Sequence, residues 1–392
     1  MPDTQPTTPR AILQPNPNPI RRIISFDGGP QALVSVRILR HFAETVPDVL
    51  EKTDLFAGVS FGSFAALYLA RAVSRHVPAV EALDGCVRFL DDFTCATRAN
   101  ACGILRMMSG LGPVDLSSQV MHVFERWLGD TTLAEIVPRV LVASFDVQAW
   151  KPRLFMNFSV EAANSDLSLV DMALASSAFP MAVNTHYQPR GGALGGDGGQ
   201  LVDGAVMINN PTMTALSAAF ATWQQRKDDA LVRDFQDMAK LRVLSLGGTV
   251  RPDPSNPWDE GSSWIRAATK LMRTGPVRNV LQMPEHSLYW GWFQWNVLHP
   301  GLFVNLMVQA PTSSVDFQTH HILGEERYRR VDPYLRPTFE AFNILFKDPA
   351  TVVFRADEFA QELFDPNNPS MEARQVRFTQ EWLARTWCEP DT

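Results

Sequence analysis

Short apolar runs alternate with longer stretches of helical periodicity along residues 22 to 246. The runs are rich in Ile, Val, Leu and Phe, as buried strands are, and the stretches between them repeat apolar residues every three or four positions, as amphipathic helices do. The predicted strands are 22–26, 54–59, 139–146, 153–158, 201–203 and 241–246. The predicted helices are 33–45, 61–75, 79–92, 115–128, 168–177 and 209–225. This alternation predicts an α/β fold in which helices cover both faces of a mostly parallel sheet.

The two ends of the chain depart from this pattern. Residues 1–20 are rich in proline and asparagine, which predicts a disordered leader. Residues 337–386 have a helical pattern that is broken by the two prolines of 365–369. We therefore predict a main α/β domain over 21–335 and a helical C-terminal extension over 336–392 that packs on it.

Composition narrows the class of protein. The formal net charge of −7 argues against a general nucleic-acid binder, and 45% hydrophobic residues in a chain of 392 are enough for a large core. The four cysteines lack the spacing of a metal site. The N-terminus lacks the basic start and apolar core of a signal peptide, and no apolar run approaches the roughly 20 residues that span a bilayer. These features predict a cytoplasmic protein whose membrane contact, if it has one, is peripheral.

Ser60 is the candidate nucleophile, because it lies in a Gly-x-Ser-x-Gly sequence between a predicted strand and a predicted helix. Gly58 and Gly62 have no Cβ, so the strand and the helix can pass close to each other at a sharp turn that carries the serine. The N-terminus of the helix has partial positive charge that can stabilise an oxyanion. The context therefore predicts a nucleophile elbow.

An earlier segment fits the same chemistry. Asp27, Gly28 and Gly29 follow the first predicted strand and precede a helical pattern. Glycines at a strand-to-helix turn let backbone N–H groups converge on an anion, which beside a serine nucleophile would be a tetrahedral intermediate. Taken alone, the segment is more typical of a plain tight turn.

A later segment supplies a carboxylate. Asp203 ends a short apolar stretch and is followed by Gly204 and Ala205. A carboxylate held against a serine hydroxyl can accept its proton without an intervening histidine. Asp197 lies in a glycine-rich loop with no strand leading into it, so we expect it to be a surface turn residue.

These three motifs, in this order, resemble those of the patatin-like phospholipases, which are lipid acyl hydrolases with a Ser–Asp dyad. The resemblance implies a three-layer α/β/α fold in which Ser60 is the nucleophile and Asp203 the general base. It implies an oxyanion hole built from backbone N–H groups of Gly28, Gly29 and Phe61. Three further segments are also similar to sequence elements of the family: 173–180, 243–248 and 328–333.

The resemblance further implies that 21–335 is a catalytic domain that acts on membrane phospholipids or other acyl lipids. Their carboxylic esters would be cleaved through an acyl-enzyme that releases free fatty acid, with no metal or other cofactor. The sequence identifies no regulatory partner.

The chain departs from the family's first motif at two positions. Pro30 replaces a glycine and has no N–H to donate, and Ala32 stands where an arginine is usual. Losing one oxyanion donor can slow catalysis by about two to three orders of magnitude. The hole can instead use the N–H groups of Gly28, Gly29 or Gln31; otherwise the enzyme is slow, or its substrates do not need the arginine.

Two alternatives to the dyad stay open. One is a Ser-Asp-His triad, for which the histidines downstream of the aspartate are His286, His299, His320 and His321. The other is a lipid-binding protein that keeps the fold without catalysis, as the changed first motif allows. Two segments are hypothetical lipid contacts: the basic amphipathic stretch 262–275, and an aromatic lid or acyl-chain wall in 288–295 and 302–307.

Overall fold

The computed structural model describes residues 20–97, 103, 105, 111, 116–158, 167–180, 186–188, 199–224, 239–250, 300–335 and 348–387. The strands are β1 Arg22–Phe26, β2 Leu55–Val59, β3 Arg139–Asp146, β4 Lys151–Met156, β5 His186–Gln188, β6 Gly199–Asp203, β7 Arg242–Leu246, β8 Thr249–Val250, β9 Tyr328–Val331 and β10 Tyr334–Leu335. The helices are α1 Ala32–Thr45, α2 Phe61–Ser74, α3 Ala79–Ala96, α4 Ser117–Leu128, α5 Leu169–Ser177, α6 Thr212–Gln224, α7 Pro300–Leu323, α8 Pro349–Phe364 and α9 Met371–Thr386. Short 3-10 helices lie at Leu133–Glu135 and Gly204–Val206.

The central sheet is mixed and mostly parallel. Within the described residues eight strands join it, in the order β5-β6-β3-β2-β1-β7-β9, with β4 also paired to β3. The run β3-β2-β1-β7-β9 is parallel throughout, whereas β4 and β6 pair antiparallel with β3 and β5 pairs antiparallel with β6. Helices cover both faces, so the predicted three-layer α/β/α fold is confirmed.

The two faces of the sheet carry separate apolar clusters because successive side chains of a strand point to opposite sides. Ile24 and Phe56 belong to the larger cluster, which also takes residues of α1 to α5, α8 and α9. Their neighbours Ile23 and Leu55 belong to a smaller cluster with residues of α6 and the end of α7. Strands buried on both faces read as continuous apolar runs, which is why the sequence pattern located them.

The antiparallel strand β6 creates the juxtaposition on which the candidate site depends. Along one edge of β3, Val59 at the end of β2 pairs with Ala143, and Asp203 at the end of β6 pairs with the next residue, Ser144. The opposite edge of β3 is taken by β4. The carboxyl ends of β2 and β6 therefore meet on one edge, and residue 60 follows the first of them directly.

The predicted elements agree with the observed ones for most of the chain. β1 and β3 have the predicted bounds, and β4 begins and ends two residues before the predicted 153–158. The strands β5, β8, β9 and β10 were not predicted, and 302–307 is part of the long helix α7. The hypothetical lipid contacts 262–275 and 288–295, and the leader 1–19, lie outside the described residues.

The C-terminal helices pack tightly against the rest of the chain. The buried Arg37 of α1 binds Asp91 of α3 at 3.0 Å and also pairs with Asp357 of α8. Trp387, which follows α9, is fully buried and donates its Nε1–H to the carbonyl oxygen of Val49 at 3.0 Å. The boundaries between the three predicted parts stay a prediction. None of the helices in the described part of the chain has the length and apolar character that crossing a bilayer requires.

Candidate active site

Ser60 occupies a strained turn between β2 and α2. Its backbone has φ 51° and ψ −127°, a left-handed φ that costs a non-glycine residue free energy. A Cβ on Gly62 would lie 2.4 Å from the carbonyl oxygen of Phe26, and one on Gly58 would lie 2.3 Å from that of Gly62. Both glycines are therefore required by the close approach of β1, β2 and the first turn of α2. This is the geometry of a nucleophile elbow.

Neighbouring serines hold the turn in place. Ser60 donates its N–H to the Oγ of Ser176 at 2.9 Å, and that hydroxyl donates to the carbonyl oxygen of Ala143 at 2.6 Å. The carbonyl oxygen of Ser60 accepts from the Oγ of Ser63 at 2.6 Å. The strained conformation is thus fixed on both sides by hydrogen bonds. Because the N–H of Ser60 is already bonded, it is not among the candidate donors to an oxyanion.

The structure brings Ser60 and Asp203 into direct contact. The Oγ of Ser60 donates to Oδ2 of Asp203 at 2.6 Å, a length typical of a hydrogen bond to a carboxylate. The other oxygen, Oδ1, accepts the N–H of Ala205 at 2.8 Å, and Gly204 begins the 3-10 helix that presents this donor. The N–H of Asp203 is bonded to the carbonyl oxygen of Ala178 at 3.0 Å. The carboxylate therefore has one oxygen fixed by backbone and one facing the nucleophile.

Burial makes Asp203 a stronger base than an ordinary carboxylate. The side chain is buried, and this desolvation raises its pKa from 3.8 to about 7, against the opposing effects of the hydrogen bonds from Ser60 and Ala205. A general base works best with a pKa near the operating pH. The environment of Asp203 therefore suits the acceptance of the Ser60 proton.

The predicted oxyanion loop lies beside the elbow, but its N–H groups differ in availability. Gly28 donates its N–H to the carbonyl oxygen of Asn209 at 2.9 Å. Pro30 has no N–H. Gly29 has φ 95°, and Phe61 is the first residue of α2. Of the predicted donors, the N–H groups of Gly29, Gln31 and Phe61 have no hydrogen-bonded acceptor within the part of the chain that the structure describes, so these three are the candidates.

Sequence reasoning missed the ion pair behind this loop. Asp27 is buried and binds the equally buried Arg330 of β9, with Nη2 to Oδ2 at 2.6 Å and Nη1 to Oδ1 at 3.3 Å. Nη1 also donates to the Oγ of Ser245 on β7 at 2.8 Å. Burial raises the pKa of Asp27 to about 6, and the Arg330 guanidinium opposes that rise. The similar segments 173–180 and 328–333 contained Ser176 and Arg330, but nothing in the sequence indicated their partners.

The other sequence candidates do not join the dyad. His320 and His321 are exposed on α7, and the Nδ1 of His321 lies 2.7 Å from the carbonyl oxygen of Phe317 on its own helix. Among the residues that the structure describes, no histidine is hydrogen bonded to Ser60 or Asp203. Asp197, His286 and His299 lie outside the described residues.

Comparison with known proteins places this site in a family. The model of the family described as Patatin-like phospholipase matches residues 24–216, which include the first motif, the elbow and Asp203. Patatin-like protein 1 of Arabidopsis thaliana is 25% identical over 239 residues, 57% of this chain and 56% of its own length. Protein teg of Priestia megaterium is 29% identical over 237 residues, 59% of this chain and 64% of its own length.

A crystal structure of VipD from Legionella pneumophila aligns with 96% of this chain and 82% of its own, at 10% identity and a TM-score of 0.33. The chain spans little more than half the length of the Arabidopsis relative. The family match, the curated relatives and the serine elbow agree, and residues 24–216 of the chain belong to the patatin-like phospholipase family.

Proposed function

We propose that this protein is a lipid acyl hydrolase that cleaves carboxylic esters of membrane phospholipids with a Ser60–Asp203 dyad. The observation that carries the proposal is the 2.6 Å hydrogen bond from the Ser60 Oγ to a buried carboxylate whose pKa is raised to about 7. Family membership supports ester hydrolysis on lipids in general. The dyad, the product and the membrane substrate are the parts that experiment has to test.

Acylation follows from this geometry. Oδ2 of Asp203 accepts the proton of the Ser60 hydroxyl while Oγ attacks the ester carbonyl carbon. The carbonyl oxygen becomes an oxyanion, which the N–H groups of Gly29 and Phe61 stabilise together with the positive end of α2. The tetrahedral intermediate collapses, and the leaving alcohol takes the proton from Asp203. The products of this step are an acyl-serine and a free lysolipid.

Deacylation uses the same groups in the opposite order. Asp203 accepts a proton from a water molecule that attacks the acyl carbon. The second tetrahedral intermediate is stabilised by the same two N–H groups and expels the Ser60 oxygen. That oxygen recovers the proton from Asp203, and the free fatty acid leaves. No step needs a histidine, because the raised pKa of Asp203 lets one carboxyl group both accept and return the proton.

The substrate lies in a membrane, whereas the helices of the described residues are not of the spanning type. We therefore propose that the enzyme works from the cytoplasm on the membrane surface through peripheral contact. Pro30 and Ala32 affect the rate and the range of substrates. Compared with the family's first motif, Pro30 lacks an N–H that could bind the oxyanion, and Ala32 lacks the positive charge of the usual arginine.

The test measures fatty-acid release from mixed phospholipid vesicles and from a short p-nitrophenyl ester. Wild type is compared with Ser60→Ala, Asp203→Asn and Ser177→Ala. Ser177 is a matched control, because it is a buried serine of the same region whose hydroxyl donates to the carbonyl oxygen of Ala173 at 2.8 Å. Activity that is lost in the first two variants and kept in the control supports the dyad. Activity that survives Ser60→Ala would overturn it.

Two further measurements separate the alternatives. In one, the four downstream histidines are replaced together by alanine, and loss of activity in that folded variant would favour a triad: His286, His299, His320 and His321. In the other, a phosphonate probe labels wild type and Ser60→Ala. A wild type that is neither active nor labelled would favour a non-catalytic lipid-binding protein.

A further inference from the structure

We propose that Arg330 is a positioning residue for catalysis. By binding Asp27 it fixes the turn that carries Gly29, and so sets where the Gly29 N–H meets the oxyanion. The inference rests on the proposed hydrolase function and adds a residue that lies 303 positions from the loop it controls. Arg330 itself touches neither the nucleophile nor Asp203 in the described contacts, so its effect on the reaction is indirect.

The sheet register explains how Arg330 reaches the loop. Ser25 of β1 pairs with Ser245 of β7, and Ser245 pairs with Arg330 of β9. The backbone of Arg330 therefore lies two strands away from β1, level with Ser25, which is two residues before Asp27 in the chain. Its side chain passes Ser245, to whose Oγ it donates at 2.8 Å, and ends on the Asp27 carboxylate. Its length and direction match this span.

Helix α6 also contacts the paired residues Ser25 and Ser245. The Oγ1 of Thr212, the first residue of α6, lies 3.0 Å from the Oγ of Ser25 and 3.1 Å from that of Ser245. The backbone carbonyl of Arg330 accepts the Nε2–H of Gln375 on α9 at 2.8 Å. Arg330 is therefore held by hydrogen bonds at both its guanidinium and its backbone carbonyl, so it can act as a rigid support for Asp27.

Asp27 transmits this support to the catalytic machinery. The N–H of Asp27 donates to the carbonyl oxygen of Leu246 at 3.0 Å, which fixes the backbone of the residue. Its carboxylate is fixed separately, by Arg330. Its own carbonyl oxygen lies against the first turn of α2, where a Cβ on Gly62 would approach it to 2.5 Å. Asp27 therefore lies between Arg330, which binds its carboxylate, and α2, which packs against its carbonyl oxygen. A shift of Asp27 would move the Gly29 N–H relative to the Ser60 Oγ.

The chemistry of the pair requires arginine rather than any cation. Two nitrogens of the planar guanidinium meet two oxygens of the carboxylate, a two-point contact that a lysine ammonium does not reproduce. Both side chains are buried, and a buried ion pair adds little net stability compared with well-packed apolar residues, so stability alone does not explain this one. Pro30 makes that geometry more important, because it leaves the loop one donor fewer and catalytic donors have to be placed within about 0.5 Å.

The test compares two buried arginines that each contact both oxygens of an aspartate. Arg330→Met breaks the pair at the loop. Arg37→Met is the control between α1 and α3, where one nitrogen, Nη2, lies 3.0 Å from each oxygen of the partly exposed Asp91. Both variants remove a buried guanidinium with its ion pair and should melt earlier. Turnover of a short ester is measured per active site, counted by the burst of released nitrophenol, so that unfolded protein does not enter the result.

We expect Arg330→Met to lower kcat per active site about 100-fold with KM within about twofold, because a misplaced donor weakens the transition state alone. Arg330→Lys should lower kcat about tenfold, since it keeps the charge and loses one of the two contacts. Arg37→Met should keep the wild-type kcat per active site despite its lower melting temperature.

Equal kcat per active site in Arg330→Met and Arg37→Met would overturn the inference and leave the proposed function intact. If Arg330→Met does not fold, full kcat per active site in Arg330→Lys would overturn it in the same way. A wild type without turnover or phosphonate labelling of Ser60 would overturn the proposed function, and the inference with it.

Discussion

Replacing the candidate base Asp203 with asparagine should abolish activity and, at alkaline pH, stabilise the fold. The reason is that the folded protein holds a buried carboxylate with a pKa of about 7 instead of 3.8. Asparagine fits the same place: its Oδ1 can accept the Ala205 N–H, and its Nδ2 can donate to the Ser60 Oγ. The substitution therefore removes a buried charge and keeps the hydrogen bonds.

The size of the effect follows from proton linkage. Between pH 4 and 7 the folded state keeps the Asp203 proton and the unfolded state loses it, so the free energy of unfolding falls as pH rises and then levels above pH 7. With about 1.4 kcal/mol per pKa unit, the cost to the wild type is about 2 kcal/mol at pH 5 and about 4 kcal/mol at pH 8. The asparagine variant has no such cost. Its stability relative to wild type should therefore rise by about 2–3 kcal/mol from pH 5 to pH 8.

The assay is urea unfolding of both proteins at pH 5 and pH 8, followed by tryptophan fluorescence. Other titrating groups are common to the two proteins and cancel in the difference. Asp130→Asn is the control, because that side chain is exposed to water and its substitution should leave the difference between the two pH values unchanged. A stability difference between wild type and Asp203→Asn that is the same at pH 5 and pH 8 would refute the reasoning, and with it the assignment of Asp203 as a neutral-range base.

Three other predictions follow from the same structure. The kcat/KM for a short ester should rise with pH through about 7 and level above it, because Asp203 has to be ionised to accept a proton; a profile that is flat from pH 5 to 9 would contradict this. Ser176→Ala removes the acceptor of the nucleophile's N–H and should lower kcat per active site about tenfold, whereas Ser177→Ala should not. Trp387→Ala empties a fully buried site and should cost about 3–5 kcal/mol in urea unfolding; a loss below about 1 kcal/mol would mean that the C-terminal helices do not stabilise the domain.

The sequence predicted the parts of this fold that local pattern determines. β1 and β3 were placed at their observed bounds because each is a continuous apolar run, and the elbow was recognised because its glycines and serine are neighbours in the chain. β9 was not recognised as a strand. Its sequence from Tyr328 to Val331 contains two arginines, one of which, Arg330, is buried against Asp27 from a distant part of the chain and also pairs with Asp332. β5 has three residues, too few to carry a periodic signal.

The two aspartates of the site illustrate what sequence could not decide. Asp27 directly follows an apolar strand, Asp203 ends one, and each is followed by glycine, so their local patterns are nearly the same. Their partners differ, and the partners are long-range. Asp203 accepts hydrogen bonds from a hydroxyl and a backbone N–H, which lower its pKa less than burial raises it. The resulting pKa of about 7 leaves a base that can exchange a proton.

Asp27 faces a guanidinium that gives two hydrogen bonds, so its carboxylate oxygens are already occupied and its negative charge is compensated. A carboxylate bound in this way holds a position and does not exchange protons with a nucleophile. The different roles of the two aspartates thus depend on the arrangement of the strands. Because β6 runs antiparallel beside β3, Asp203 reaches Ser60. Because β9 lies two strands from β1, Arg330 reaches Asp27. Both arrangements are properties of the sheet order and not of any segment of sequence.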